Sequence, residues 1–125
     1  MSVLDYFDPD KLDVLVFTSY PHSLASVNRP SDIPLDYYSV AADRMPGKPV
    51  GFSEIAWPSM SQFGGEQAQA DFIYLLDGDQ TEGLDLEFIM WPWLCDLSEA
   101  DTTGLIQRDG TLKLGYAAWV DIADD

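Results

Sequence analysis

The sequence has one cysteine, one histidine and one asparagine in 125 residues. The single cysteine, Cys95, excludes an intramolecular disulfide and a cysteine-based metal cluster. It lies in the apolar segment 88–97, so we expect a buried, inert thiol. The single histidine, His22, excludes a multi-histidine metal site. We therefore expect no metal and no other cofactor.

Basic residues are also scarce, with 6 Lys and Arg against 22 Asp and Glu and a formal net charge of −16. This charge repels phosphate backbones and anionic lipid surfaces, so we expect neither a nucleic acid nor a membrane as a partner. No apolar run approaches the ~18 residues of a membrane span. Residues Met1–Asp8 lack the basic and apolar regions of a signal peptide, although the location of a longer parent protein, secreted or not, stays open.

The hydrophobic content of 46% is ample for one packed domain, and its pattern alternates between strand and helix. Val14–Phe17 is a continuous apolar run, typical of a parallel strand that is buried on both faces. Ser31-Asp32 is an N-cap signal with Pro34 just inside, and it predicts a helix through Tyr38 and Ala42.

The same alternation occurs twice more along the chain. A second strand, Val50–Ile55, precedes a helix from about Glu66, and a third strand is predicted over Leu86–Trp91. The apolar positions predicted to share one face of a helix are Ala68, Phe72, Leu75 and Leu76 in the second helix, and Leu112, Tyr116 and Trp119 in the last. The crossovers are long enough for helices, so we predict an α/β fold with a parallel sheet.

The second strand ends on a carboxylate, Glu54, followed by an aromatic residue and a proline. A strand interior does not favour a glutamate unless it is paired or reaches a site. At the C-terminal end of a parallel strand, however, a carboxylate points into the crevice where α/β barrels perform their chemistry. A merely solvated Glu54 is the alternative reading.

Short motifs occur at or after the end of each predicted strand. They are Tyr20-Pro21 after the first strand, Glu54-Ile55-Ala56-Trp57 at the second, Trp91 after the third, then Gly104-Leu105, Asp109-Gly110 and Lys113. From about Leu12 to Ile122, the chain resembles the sixth, seventh and eighth units of retaining clan-A glycoside hydrolases, nearest to the endo-galactanase and endo-glucanase-like families. Those enzymes are TIM barrels of about 250 residues. Residues 1–125 are therefore expected to form a single partial barrel domain.

The resemblance implies roles for individual residues. Glu54 corresponds to the catalytic nucleophile, and Tyr20 to a tyrosine that donates a hydrogen bond to it. Because Tyr20, Glu54 and Trp91 each end a predicted strand that a helix follows, we also expect the parallel sheet to bring them together at its carboxyl edge. Trp91 corresponds to a tryptophan on which a sugar ring stacks, and Trp57 and Trp93 could extend that platform. Each tryptophan can equally be read as core or rim packing, because an indole buries a large area anywhere. His22 is a weaker candidate for binding a sugar hydroxyl, and Asp96 and Glu99 are expected to be solvated loop carboxylates.

One part of the family's machinery is absent from this sequence. The resemblance implies that the general acid/base is a glutamate that follows an asparagine on the fourth strand. The only asparagine here is Asn28, and no Asn-Glu pair occurs. We therefore expect the chain to carry the nucleophile half of a glycosidase and to be inactive alone.

Two other readings stay open. In the first, the chain is a non-enzymatic protein that binds oligo- or polysaccharide or assembles with itself. In the second, it is an unrelated small α/β enzyme in which Glu54 is a general base. A sheet cut from a barrel would expose the inner residues of Val14–Phe17 and Val50–Phe52 and both sheet edges. We therefore also predict a homo-oligomer.

Overall fold

The computed structural model describes residues 3–124, in which three strands and three α-helices alternate. Met1 and Ser2, the first two residues of the segment Met1–Asp8 that lacks the features of a signal peptide, lie outside the described residues. The elements in chain order are β1 (Leu15–Ser19), α1 (Tyr37–Ala42), β2 (Val50–Ile55), α2 (Gly65–Leu76), β3 (Leu86–Ile89) and α3 (Leu114–Ala123). Within residues 3–124 no helix is both long and apolar enough to cross a membrane.

The strands form one parallel sheet in the order β1-β2-β3, which confirms the predicted α/β class. Leu15 and Leu86 both pair with Val50, so the three strands begin at the same level of the sheet. Their carboxyl ends consequently lie along one edge, where the loops to α1, α2 and α3 leave the sheet. The observed bounds of β2 equal the predicted ones, and β3 ends two residues earlier than expected.

A bulge interrupts the pairing of β1 and β2 just before this edge. Phe17 pairs with Phe52 but Thr18 pairs with Glu54, so Ser53 is the extra residue. A bulge changes which face the following side chains take. Phe52 and Ile55 are therefore both fully buried although they are three residues apart, and Glu54 is only partly buried.

The core lies on the helix side of the sheet. The buried apolar residues there are Val27, Ile33, Tyr38, Val50, Phe52, Ile55, Trp57, Ala68, Phe72 and Leu76, with a second cluster of Ala70, Ile73, Leu105 and Ala118. The α2 helix contributes to both clusters and packs closely against α3. The predicted apolar face of α2 is confirmed at Ala68, Phe72 and Leu76.

The other face of the sheet differs from the prediction. Val16 is 45% exposed, so β1 is not buried on both faces, because residues 3–124 place no helix over that side. The expectation that Val50–Phe52 would meet water is also wrong. Val50 and Phe52 face the core, and the Phe88 ring covers Gly51 so closely that a Cβ there would overlap it.

The first helix begins later than the N-cap signal predicts. Pro30–Asp32 is a single 3-10 turn, in which the Asp32 carboxylate accepts hydrogen bonds from the backbone N–H groups of Asn28 and Arg29. Ile33 is extended, as the residue before a proline prefers to be, so the α-helix starts only at Tyr37.

The last helix is likewise shorter than the apolar pattern suggests. Tyr116 and Trp119 pack against the second core cluster as predicted. Leu112 precedes α3 and is 57% exposed, because it forms an isolated antiparallel bridge with Ile106 after the turn at Asp109-Gly110. Gly110 has a φ of 92°, which favours glycine there, and Asp109 accepts a hydrogen bond from the Thr111 N–H at 2.9 Å.

Candidate functional site

Tyr20 and Glu54 meet at the carboxyl edge of the sheet. Tyr20 directly follows β1, and Glu54 lies one residue before the end of β2. The Tyr20 hydroxyl donates a hydrogen bond to Glu54 Oε2 at 2.6 Å. This length is typical of a hydroxyl that donates to an ionised carboxylate. The predicted placement of these two side chains together is therefore observed.

The pairing also changes the acidity of the phenol. Partial burial, the hydrogen bond to Glu54 and the negative charges of Glu54 and Asp101 raise the pKa of Tyr20 from 10.0 to about 12. Tyr20 thus stays protonated across the physiological range and acts as a fixed donor. Such a donor stabilises negative charge on Glu54.

His22 lies next to this pair. Its ring makes edge contacts with Tyr20, Trp57 and Phe63, at centroid distances of 6.2, 5.8 and 5.2 Å. Burial lowers the pKa of His22, so the imidazole is neutral at pH 7. Its Nδ1 atom is buried without a hydrogen-bond partner among the described residues.

Trp57 and Trp91 were expected to face the crevice, but neither of them does. Trp57 is fully buried, donates its indole N–H to the Phe63 carbonyl and packs against Phe72 at 5.6 Å. The Trp91 ring lies between Phe72 and Trp119, so it points toward the helices. The sequence could not give these directions, because both residues lie beyond their strands, where the alternation of faces no longer applies.

A cavity of about 290 Å³ opens beside the Tyr20–Glu54 pair. It has the size of a small-ligand site, just below the usual range of roughly 300–1,000 Å³. Its lining includes Tyr20, His22, Trp93, Asp101, Thr102 and Thr103. Of the predicted platform tryptophans only Trp93 lies here, and sequence reasoning missed Asp101 and Thr102, which no local motif marks.

Asp96 is not the solvated loop carboxylate that was expected. It forms an ion pair with Lys113 at 2.6 Å, and the two side chains are only 9% and 1% exposed. Lys113 also donates to the Ser59 hydroxyl and to the carbonyls of Thr102 and Gly104. Burial of the lysine therefore draws Asp96 inward, whereas Glu99 on the same loop is exposed as predicted.

This cluster holds the loop that lines the cavity. The carbonyls of residues 102–104 all accept hydrogen bonds from the protein interior. Lys113 donates hydrogen bonds to the carbonyls of Thr102 and Gly104, while the Trp91 indole N–H and the Gln69 amide donate to the carbonyl of Thr103. The backbone of residues 102–104 is thereby held in place by donors from the protein interior.

Cys95 lies on the same loop and is exposed, so the prediction of a buried thiol is wrong. The apolar run suggested a continued strand, but β3 ends at Ile89. Cys95 instead forms an isolated bridge with Ile106. Its backbone packs against Gly104, where a Cβ would overlap the Cys95 carbonyl carbon.

No protein-family model matches this sequence, and no curated protein matches it either. Solved structures do. The β-glucuronidase of Bifidobacterium dentium, solved in complex with coumarin-3-O-glucuronide, superposes with a TM-score of 0.68 and 16% identity over 90% of this chain. The β-glucuronidase of Faecalibacterium prausnitzii superposes with a TM-score of 0.62 and 18% identity over 90% of this chain.

These similarities define the fold. Three consecutive parallel βα units in one sheet form part of a TIM barrel. The chain spans about a fifth of each of these proteins, 21% and 22% of their lengths. At such low identity the likeness extends to the fold alone.

Proposed function

We propose that this chain is part of a retaining glycoside hydrolase and that Glu54 is its nucleophile. The observation that supports this most is the 2.6 Å hydrogen bond from Tyr20 to Glu54 at the carboxyl edge of the parallel sheet. Enzymes with this barrel place their active sites at that edge. A retaining glycosidase needs an ionised carboxylate with donors around it, and Tyr20 supplies one.

The finer assignment is also a proposal. The motif Glu54-Ile55-Ala56-Trp57 supports the clan-A class near the endo-galactanases and endo-glucanases, with residues 1–125 as units six to eight of the barrel. The retaining mechanism needs a second carboxyl about 5–5.5 Å from the nucleophile. We propose that this acid/base lies outside the sequence, since no Asn-Glu pair occurs in it.

A glycosyl fluoride tests the nucleophile directly, because fluoride departs without help from an acid. We expect a 2-deoxy-2-fluoro glycosyl fluoride to attach covalently to Glu54, as mass spectrometry of the digested protein would show. Glu54→Gln should abolish the label, and Tyr20→Phe should slow it. An unlabelled protein, or a label on another carboxylate, would contradict the nucleophile role.

Unactivated aryl glycosides test the missing acid. General acid–base assistance contributes about 10²- to 10⁴-fold, so we expect no turnover at an enzymatic rate. Turnover that is lost in Glu54→Gln would show that this chain supplies its own acid, and that part of the proposal would be wrong.

A second function, self-assembly, is favoured by the open face of the sheet. Val16 and Phe88 are 45% and 37% exposed there, and β1 and β3 are the outer strands of the sheet formed by residues 3–124. Open strand edges favour pairing with another copy. Light scattering over a wide concentration range should show a homo-oligomer, and a constant monomer mass would exclude it.

A further inference from the structure

Glu54 faces the crevice because β2 contains one extra residue. Up to Phe52 the side chains of β2 alternate regularly, and Val50 and Phe52 both point into the buried core. Regular alternation would turn Glu54 toward that core as well, since side chains two residues apart in a strand share a face. The bulge at Ser53 shifts the register by one residue, so Glu54 takes the opposite face.

The pairing with β1 shows which face this is. Glu54 pairs with the exposed Thr18, and Ile55 pairs with the buried Ser19. Glu54 therefore lies on the open side of the sheet, where the Tyr20 hydroxyl donates to its carboxylate at 2.6 Å. Without the extra residue, Glu54 would pair with Ser19 and its carboxylate would turn into the core.

Two hydroxyl groups span the bulge from one strand to the other. Ser53 Oγ donates a hydrogen bond to the Phe17 carbonyl at 3.4 Å, and Thr18 Oγ1 lies 3.3 Å from Ser53 Oγ. These contacts join the extra residue to the two residues of β1 between which the register shifts. Both hydroxyl-bearing residues are exposed, so their contacts act on the register of the strands and not on the packing of the core.

We propose that Ser53 and Thr18 are positioning residues for Glu54, because their hydroxyl groups hold the bulge that presents its carboxylate to Tyr20. The extra residue of a bulge is unpaired in the strand ladder, so regular pairing competes with it. Hydrogen bonds made only in the bulged form shift the balance toward that form. This inference rests on the proposed function, because it gives the two residues a role through the nucleophile.

Ser53→Thr and Ser53→Val form a matched pair of variants, since the two new side chains have the same shape and differ in the hydroxyl group. The readout is the pKa of Tyr20, followed as the difference in phenolate absorbance between each protein and its Tyr20→Phe counterpart. Ser53→Thr should keep the raised value of about 12, whereas Ser53→Val should move it toward 10.0 as Glu54 leaves the phenol. Asp101, the other carboxylate that raises this pKa, is present in both variants.

Thr18→Val removes the hydroxyl group on β1 and should lower the pKa of Tyr20 in the same direction. Labelling of Glu54 by the glycosyl fluoride should slow by roughly 2- to 5-fold in Ser53→Val and in Thr18→Val, which is the effect of one weak hydrogen bond. Thr111→Val is the control, because Thr111 is exposed in the segment before α3 and should change neither readout. Circular dichroism should confirm that each variant is folded.

The two proposals can fail independently. Equal Tyr20 titrations in Ser53→Val and Ser53→Thr, or an unchanged titration in Thr18→Val, would overturn the positioning role. A lowered pKa of Tyr20 in Ser53→Val, without any label on Glu54 in the wild type, would retain the positioning role and refute the nucleophile. A label on Glu54 at the same rate in every variant, with no change at Tyr20, would do the reverse.

Discussion

Glu54 lies near the end of β2 and Asp96 lies in the loop after β3, yet the two carboxylates have opposite surroundings. Asp96 is buried against Lys113, which has four hydrogen-bond acceptors around it. Glu54 is only partly buried, and its hydrogen-bonded side-chain partner is a neutral phenol. Asp96 is therefore matched by a cation and serves the fold, whereas no lysine or arginine of residues 3–124 forms an ion pair with Glu54 at the edge where we propose that the chemistry occurs.

The largest expected difference between the two carboxylates is in stability. Lys113→Met would leave the Asp96 carboxylate buried without its cation, which typically costs about 3–5 kcal/mol. Glu54→Gln removes no buried ion pair, so we expect a loss of at most about 1.5 kcal/mol. Urea unfolding followed by circular dichroism measures both.

The double variant Lys113→Met/Asp96→Asn serves as the control for this comparison. Removing the orphaned charge should restore part of the lost stability. Equal losses in Lys113→Met and Glu54→Gln would contradict the conclusion that Asp96, and not Glu54, is the carboxylate that stabilises the fold.

A smaller effect on stability is expected at Gly104, where two backbone segments of the loop that contains Asp96 are in close contact. At Gly104 a Cβ would overlap backbone atoms of Cys95 and Asp96, which cannot rotate away. Gly104→Ala should therefore cost about 1–3 kcal/mol. Gly78→Ala is the matched control, since the nearest atom to its Cβ is 3.7 Å away, and we expect a change within about 0.5 kcal/mol. Similar results for both glycines would show that the loop is not tightly packed.

The sequence predicted the pairing of Tyr20 and Glu54 because parallel strands bring their carboxyl ends to one edge. That argument needs only the strand order along the chain, and both residues lie at strand ends. It could not predict the bulge at Ser53, which places both Phe52 and Ile55 in the core. Period two alone would put these two residues on opposite faces.

Contacts beyond the strands were predicted less well. Lys113 and Asp96 are 17 residues apart, and no local pattern relates a lysine before the last helix to an aspartate in the preceding loop. The strand-end argument that brought Tyr20 and Glu54 together also predicted that Trp91 would face their crevice, with Trp57 extending the platform. Both indole rings instead fill the space between the sheet and the helices, where the largest apolar area can be buried.

The Tyr20–Glu54 pair should be visible in a pH titration. Because the folded pKa of Tyr20 is about 12 and the unfolded value is 10.0, its contribution to stability is complete below pH 10 and is lost as the pH rises toward 12. The difference in phenolate absorbance between the wild type and Tyr20→Phe isolates this one tyrosine. Glu54→Gln should lower its pKa, whereas Asp96→Asn should not, and equal shifts in both variants would contradict the pairing.

The smallest expected effect concerns His22, the neutral neighbour of the pair. Burial lowers its folded pKa below the unfolded value of 6.5, so its contribution to stability is present above pH 6.5 and is lost as the pH falls. His22→Gln cannot titrate in this range. Urea unfolding of both proteins at about pH 7.5 and about pH 5 should therefore show a smaller acid-induced loss in the variant. An equal loss in both would mean that folding does not lower the pKa of His22, and burial would then not explain its neutral state.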